Sequence, residues 1–187
     1  MTFTNKLATY GFTLALSASA AFAQDVEMKD ENANFTMQLG GDIAWQVDAD
    51  LTGEQSTVVA ASPEGHDPYT VVTATSFLKV NPLAKLGPNV ARKTTEGFLN
   101  GLCENYKCAD ISARSYEDIG DHKAWVVTTM LDLPDYKRLG VPEAVLVATV
   151  SPEGYMQLFS LHTSEGNADT LKPLLLDAVK TIKSDAP

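Results

Sequence analysis

The sequence is poor in the residues and patterns that advertise chemistry. Its 187 residues include only two cysteines and three histidines, and 14 basic residues stand against 24 acidic ones. No Gly-x-Ser-x-Gly elbow, glycine-rich phosphate loop or His-Glu-x-x-His helix occurs in it. The recognisable acyl-transfer, nucleotide-binding and zinc-protease devices are therefore missing. A formal charge of −10 speaks against nucleic acid and anionic lipid as partners, since both need clustered Lys and Arg to displace counterions. The same acidic balance keeps an exported chain soluble.

Long apolar runs are also missing, apart from a short one at the start. MTFTNKLATYGFTLALSASAAFAQDVE has Lys6 in a polar opening, an apolar stretch around Tyr10 to Leu16, and Ala21-Phe22-Ala23 at its end. That is a secretory leader with a small-x-small cleavage site, so the cut is expected after Ala23. The run is short for a bilayer span, and no cysteine near the cut offers a lipid attachment point. Removing 23 of the 187 residues leaves 164, with 13 basic against 24 acidic residues and a net charge of −11. The expected product is a monomeric periplasmic or secreted protein without a membrane-spanning segment. Its length suits one domain with a sizeable core.

Residues 24–34 are polar and acidic and read as a flexible N-terminal arm. A single domain is expected over 35–185. FTMQL (35–39) and IAWQVDADL (43–51) alternate with period two, placing Phe35, Met37 and Leu39, then Ile43, Trp45 and Val47, on inner faces. Gly40-Gly41-Asp42 reads as the tight turn of a hairpin between them. TVVAAS (57–62) and YTVVTATSF (69–77) form a second pair, joined through Ser62-Pro63-Glu64-Gly65. The same Ser-Pro-Glu-Gly recurs at 151–154 between AVLVATV and YMQLFSL, where proline presets one turn dihedral and glycine supplies the left-handed one. ISARSYEDI and KAWVVTTML make a further pair, around Gly120-Asp121-His122.

Two helices interrupt these strands. Pro88 suits a helix start, and Val90, Thr94, Phe98 and Leu102 follow every four residues, with Ala91 and Leu99 beside them. Near the C-terminus Leu171, Leu174, Leu175, Ala178, Val179 and Ile182 make a broad apolar stripe. Pro173 places the start of that helix just before it, with Asp169 or Thr170 as cap. The expected fold class is α+β: an antiparallel sheet of about six to eight strands covered by two helices.

This order of elements, the aromatic in the early GGDIAW turn and the closing helix LLLDAVKTIKS resemble the PsbP-like family of small exported α+β domains. Where that family often carries a proline before the tryptophan, this chain has Asp42-Ile43-Ala44. The resemblance spans most of the mature region. It implies an α/β/α sandwich and a non-catalytic accessory role in larger assemblies, and it supplies no catalytic motif.

Cys103 and Cys108 are too far apart for a Cys-x-x-Cys redox centre, and Cys103 falls at a helix end whose dipole disfavours a thiolate. The histidines, at 66, 122 and 162, offer no spacing that completes a zinc site. In an oxidising compartment the pair reads as a structural disulfide, contributing about 2 kcal/mol by loop closure. No cofactor is indicated. His66 and His162 are expected at one end of the sheet and His122 at the other. An unrecognised hydrolase site near His66 and His162 is one functional alternative; a small-ligand carrier with a cleft between sheet and first helix is another.

The leading expectation rests on two longer connections, LKVNPLAKLGP (78–88) and DLPDYKRLGVPE (132–143). Both combine prolines, apolar residues and basic charge, and ordered loops with apolar tips are disproportionately functional. Leu83, Lys85, Leu86, Tyr136, Lys137, Arg138 and Leu139 are the candidate contacts. They suit docking onto a periplasmic or membrane-complex protein partner by an accessory protein that is not an enzyme.

Overall fold

A computed structural model describes residues 25–30, 35–52, 55–77, 87–151 and 153–184. The leader 1–23 and the connection 78–86, with Leu83, Lys85 and Leu86, lie outside them. The described chain is α+β, with two sheets and three helices. A seven-stranded antiparallel sheet has the order β3-β4-β5-β9-β8-β7-β6. Its strands are β3 (Gln46–Thr52), β4 (Gln55–Ala61), β5 (Thr70–Phe77), β6 (Cys108–Ile119), β7 (His122–Leu131), β8 (Glu143–Val150) and β9 (Met156–Thr163). A small sheet is made of β1 (Val26–Asp30), β2 (Phe35–Leu39) and β10 (Lys183–Ser184), with β2 in the middle. The helices are α1 (Pro88–Asn105), α2 (Pro134–Arg138) and α3 (Ala168–Lys180).

The larger core lies between the seven-stranded sheet and a layer built from α3 and the small sheet. Its sheet side is a set of cross-strand rows, such as Val58, Ala74, Phe159, Val147 and Val126. Leu175, Ala178 and Val179 of α3 pack onto it, with Leu171, Leu174 and Ile182 at the margin, as the stripe on that helix requires. Phe35 meets Phe159 edge-on at 6.1 Å. Each large side chain buried here contributes about 1.5–3 kcal/mol relative to exposure.

Three expectations are corrected at the N-terminal end. Residues 26–30 are a strand paired along their length with β2, where a flexible arm was expected. Met28 and Asp30 are buried in it, so the polar composition concealed a period-two pattern. FTMQL and IAWQVDADL do not form a hairpin: β2 stays in the small sheet, and β3 pairs with β4 in the large one. The chain crosses between layers at residues 40–45, where the Trp45 indole N–H donates to the Gly40 carbonyl at 3.0 Å. Gly41 has φ 93° there, and a Cβ on it would lie 2.9 Å from Leu174 of α3, so both backbone and packing call for glycine. Val47, expected inside, is exposed, because β3 is the sheet edge.

The two Ser-Pro-Glu-Gly segments turn as expected, and their serines are clasps. Ser62 Oγ accepts the Thr70 N–H at 2.9 Å, and Ser151 Oγ accepts the Tyr155 N–H at 3.2 Å. The first connection runs on to Tyr69 and is wider than a four-residue turn. At α3, Asp169 and Thr170 lie inside the helix, and Asn167 is the N-cap without a side-chain cap bond. The cap comes from outside the helix: Glu143 Oε2 on β8 accepts the N–H groups of Asn167 and Ala168, both at 2.9 Å. A carboxylate there also complements the helix dipole. Glu143→Ala is expected to lower stability by about 1–2 kcal/mol, read as a lower urea midpoint at unchanged slope. An unchanged midpoint would mean that α3 is held by packing alone.

Candidate functional site

The second face of the large sheet is split between apolar and hydroxyl-bearing halves. Its cross-strand rows run Trp125, Ala148, Leu158, Thr75, Thr57 and then Val127, Leu146, Ser160, Thr73, Val59. The β7–β8 half is apolar and lies beneath α1. Leu99 is buried there, with Phe98 and Leu102 beside it, and the Phe98 ring meets Phe77 at 5.0 Å. Among the described residues these side chains pack between α1 and the β7–β8 half, where the carrier alternative places a cleft. Val90, counted in the helix stripe, is exposed.

The other half carries hydroxyl groups that satisfy one another. Thr57 and Thr75 meet at 3.0 Å, Thr73 and Ser160 at 2.6 Å, and Ser160 Oγ reaches His162 Nε2 at 2.7 Å. Over His162 sits α2. Pro134 opens this short helix, and Gly140 (φ 73°) ends it in the left-handed region that glycine adopts without strain. The reversal buries Leu133 and Val141 on either side and leaves Leu139 49% exposed at the tip. The Tyr136 ring lies 4.7 Å from the His162 ring and 6.5 Å from that of Tyr106. Beside the Tyr136 and His162 rings is a cavity of about 40 Å³, lined by Val71, Thr73, Asp135, Tyr136, Leu139, Val141 and His162. It has room for a water rather than a substrate.

The electrostatics follow from burial. His162 is 3% exposed, and its Nδ1 has no hydrogen-bond partner. Whichever tautomer is present, a second proton would make a buried cation whose Nδ1–H has no acceptor. Burial accordingly pushes its pKa down to about 4. The Tyr136 phenol is raised well above its ordinary value by burial and, secondarily, by the charges of Tyr106 and Asp135. Burial also raises Tyr106. A Ser–His contact is present, but Ser160 is buried, shared with Thr73, and its histidine lacks an orienting carboxylate. The pair is built as a neutral core network and not as a nucleophile and base.

The other sequence candidates are distributed as follows. His66 lies in the β4–β5 connection, with its N–H on the Pro63 carbonyl at 3.0 Å, and is not among the residues lining the cavity. His122 opens β7, about 20 Å along the strands from the His162 row; partial burial lowers its pKa, with Asp121 opposing. A Ser-x-x-Lys spacing, Ser76 to Lys79, was missed in the sequence; Ser76 is buried in β5 on the α3 side and hydrogen-bonded by Gln157 Nε2 at 3.4 Å. No group of three or more His, Cys, Asp or Glu side chains suited to a metal occurs among the described residues. The basic charge of 132–143 is answered within the segment, Lys137 by Asp132 at 2.6 Å and Arg138 by Asp135 at 3.3 Å. Tyr136, expected at an exposed tip, is a plug.

Cys103 and Cys108 are joined in a disulfide, with Cα atoms 4.8 Å apart. It ties the last turn of α1 to the first residue of β6, and the enclosed Tyr106 and Lys107 reach the α2 segment. Tyr106 packs on Tyr136, and the Lys107 carbonyl accepts the Asp132 N–H at 3.0 Å. Lys107 has φ 49°, costly for a residue with a Cβ, and is held so by these restraints. The short helix, the Ser160–His162 contact and this coupling were missed in the sequence. The i, i+2 spacing of Ser160 and His162 on a strand and the Pro134…Gly140 bracket were the available signals.

No protein-family model and no curated protein matches the chain by sequence. Its structure is similar to the solution structure of cyanobacterial PsbP (CyanoP) from Synechocystis sp. PCC 6803, with a TM-score of 0.54 and 15% identity. The match covers 91% of this chain and 98% of that one. The fold is therefore PsbP-like.

Two outcomes are expected at this site. NMR titration of the imidazole protons should place His162 near pH 4. A pKa lowered from an unfolded value near 6.5 means that the unfolded chain binds the extra proton first. Stability should therefore fall from about pH 6.5 to about pH 4 and then level off, by roughly 3 kcal/mol from this group. A titration near 6.5 would refute the burial. Replacing both cysteines by alanine should cost about 2 kcal/mol and speed amide exchange in 132–141 more than in α3; equal acceleration in both would argue against the coupling.

Proposed function

We propose that this protein is an exported, non-catalytic accessory protein that docks onto a protein partner through the 132–143 segment. The observation that carries the reading is the geometry of that segment. Leu133, Tyr136 and Val141 anchor it to the sheet, and the Gly140 reversal holds Leu139 out at 49% exposure. An apolar side chain fixed on a rigid, anchored turn loses little conformational freedom on binding, which favours a contact there. Exposed Lys137 and Arg138 flank it, each already neutralised by an aspartate, so the contact is apolar with a polar rim.

Export is supported by the leader-like start and by a disulfide, which persists in an oxidising compartment. A non-catalytic role is supported by the buried, neutral state of the Ser160–His162 pair. No described helix is long and apolar enough to cross a membrane. The 78–88 connection belongs to the same proposal through Leu83, Lys85 and Leu86.

The test is Leu139→Asp. Affinity purification of the tagged protein from its own envelope fraction should lose the co-purifying partner more than tenfold, while the thermal midpoint stays within about 2 °C because the position is exposed. A partner retained by Leu139→Asp would place docking elsewhere. Tyr136→Asp is the wrong variant, since it would put a charge in the packed plug.

A further inference from the structure

Arg92 is required by nothing described so far. The chain has three arginines. Arg138 and Arg114 meet Asp135 and Glu96; Arg92, exposed on α1, meets no carboxylate among the described residues. Its guanidinium lies instead over two rings, 4.8 Å from the centroid of Tyr116 and 5.4 Å from that of Trp125. Arg114, from β6, stands 5.0 Å from the same Trp125 ring. Trp125 is 7% exposed, and its Nε1–H donates to the Arg92 carbonyl at 3.2 Å. Two cations are thus gathered on one fixed indole, on a protein whose formal charge is −10.

This arrangement has a chemical consequence. A guanidinium lying flat on an aromatic face keeps its N–H donors around its edge, free for an acceptor, and its orientation is set before any ligand arrives. Two such groups on one indole favour an anion, and planar forks match the two oxygens of a carboxylate. Glu96 shows the class of group that the place accepts. Its Oε1 stands 3.5 Å from Arg114, too long for a good hydrogen bond, so the donors are only loosely engaged. The net acidic charge of the chain disfavours polyanions such as nucleic acid.

We propose that Arg92 and Arg114, held on Trp125 and Tyr116, form a carboxylate-binding site. The carboxylate comes either from a small dicarboxylic acid or from an acidic side chain of another protein. The site does not rest on the reading of Leu139. Bound carboxylate lies across the two guanidinium edges and displaces Glu96.

Trp125 reports on the site directly, and Trp45, bonded to Gly40 in the crossing between the layers, is an internal control. In nitrogen-15 spectra at constant ionic strength, malonate should shift the Trp125 indole N–H saturably and leave that of Trp45 in place. Arg92→Gln and Arg114→Gln should each weaken the effect at least tenfold, and Arg92→Lys should weaken it while keeping the charge. Glu96→Gln should tighten it severalfold, by removing the competing carboxylate. A second arm uses a peptide of eight glutamates: tighter binding than malonate assigns the carboxylate to a protein, and weaker binding assigns it to a small acid. The proposal is overturned if neither probe gives a saturable shift, if Arg92→Gln responds like the parent, or if inorganic phosphate binds more tightly than both. A spectrum of Arg92→Gln with the Trp45 peak unmoved excludes unfolding as the cause of a loss.

Discussion

The pairing of β5 with β9 is the contact on which the rest of the molecule depends. It joins a sheet half made before α1, β3-β4-β5, to a half made after it, β6-β7-β8-β9. Thr70 and Thr163 meet across it although they are far apart in sequence, so loop-closure entropy must be overcome before the two halves support each other. Every residue of β9 is buried. Phe159 and Leu161 face α3, while Leu158, Ser160 and His162 face the side of α1 and α2. One strand therefore carries both cores and the polar network.

That central position explains the chemistry of the second face. A helix over the middle of this face would need apolar side chains beneath it, and α1 finds them over β6 to β8 and at Leu158 and Phe77 of the neighbouring strands. Further along β9 and β5 the side chains are Thr73, Ser160 and His162, and buried polar groups are tolerated when they are hydrogen-bonded. The Thr73–Ser160–His162 chain meets that condition except at Nδ1, and α2 closes the remainder with an aromatic ring. The disulfide loop meets α2 through Tyr106 and the Lys107 carbonyl, so contacts run unbroken from the α1 end through the α2 plug to the histidine.

The PsbP-like fold supplies a scaffold and leaves function to the residues placed on it. In this chain the scaffold presents two surface features on the α1 side: an apolar tip at Leu139, and two arginines spread on Trp125. They sit near opposite ends of α1, about 20 Å apart by its helical rise, and differ in chemistry. An apolar contact at one and a charged contact at the other would give a partner both affinity and orientation.

Much of the architecture was legible in the residue pattern. The α3 stripe, Pro88 at the start of α1, the two Ser-Pro-Glu-Gly turns, the β6–β7 pair and the Cys103–Cys108 link all follow from local periodicity, turn chemistry or short spacing, which a linear sequence carries. What the sequence could not carry was set by contacts between distant segments. VEMKD became a strand because β2 and the large core were there to receive Met28. The Gly40-Gly41-Asp42 turn became a crossing between layers because α3 occupies the space beside Gly41. Glu143 caps a helix that begins 25 residues later, and Tyr136 turned inward because His162 lies below it. The sequence by itself determined the fold class, the two longer helices and the disulfide, since local backbone preference and apolar spacing decide those. Only the tertiary structure decided which polar side chains are neutral core and which remain available at the surface, because burial is a property of the assembled layers.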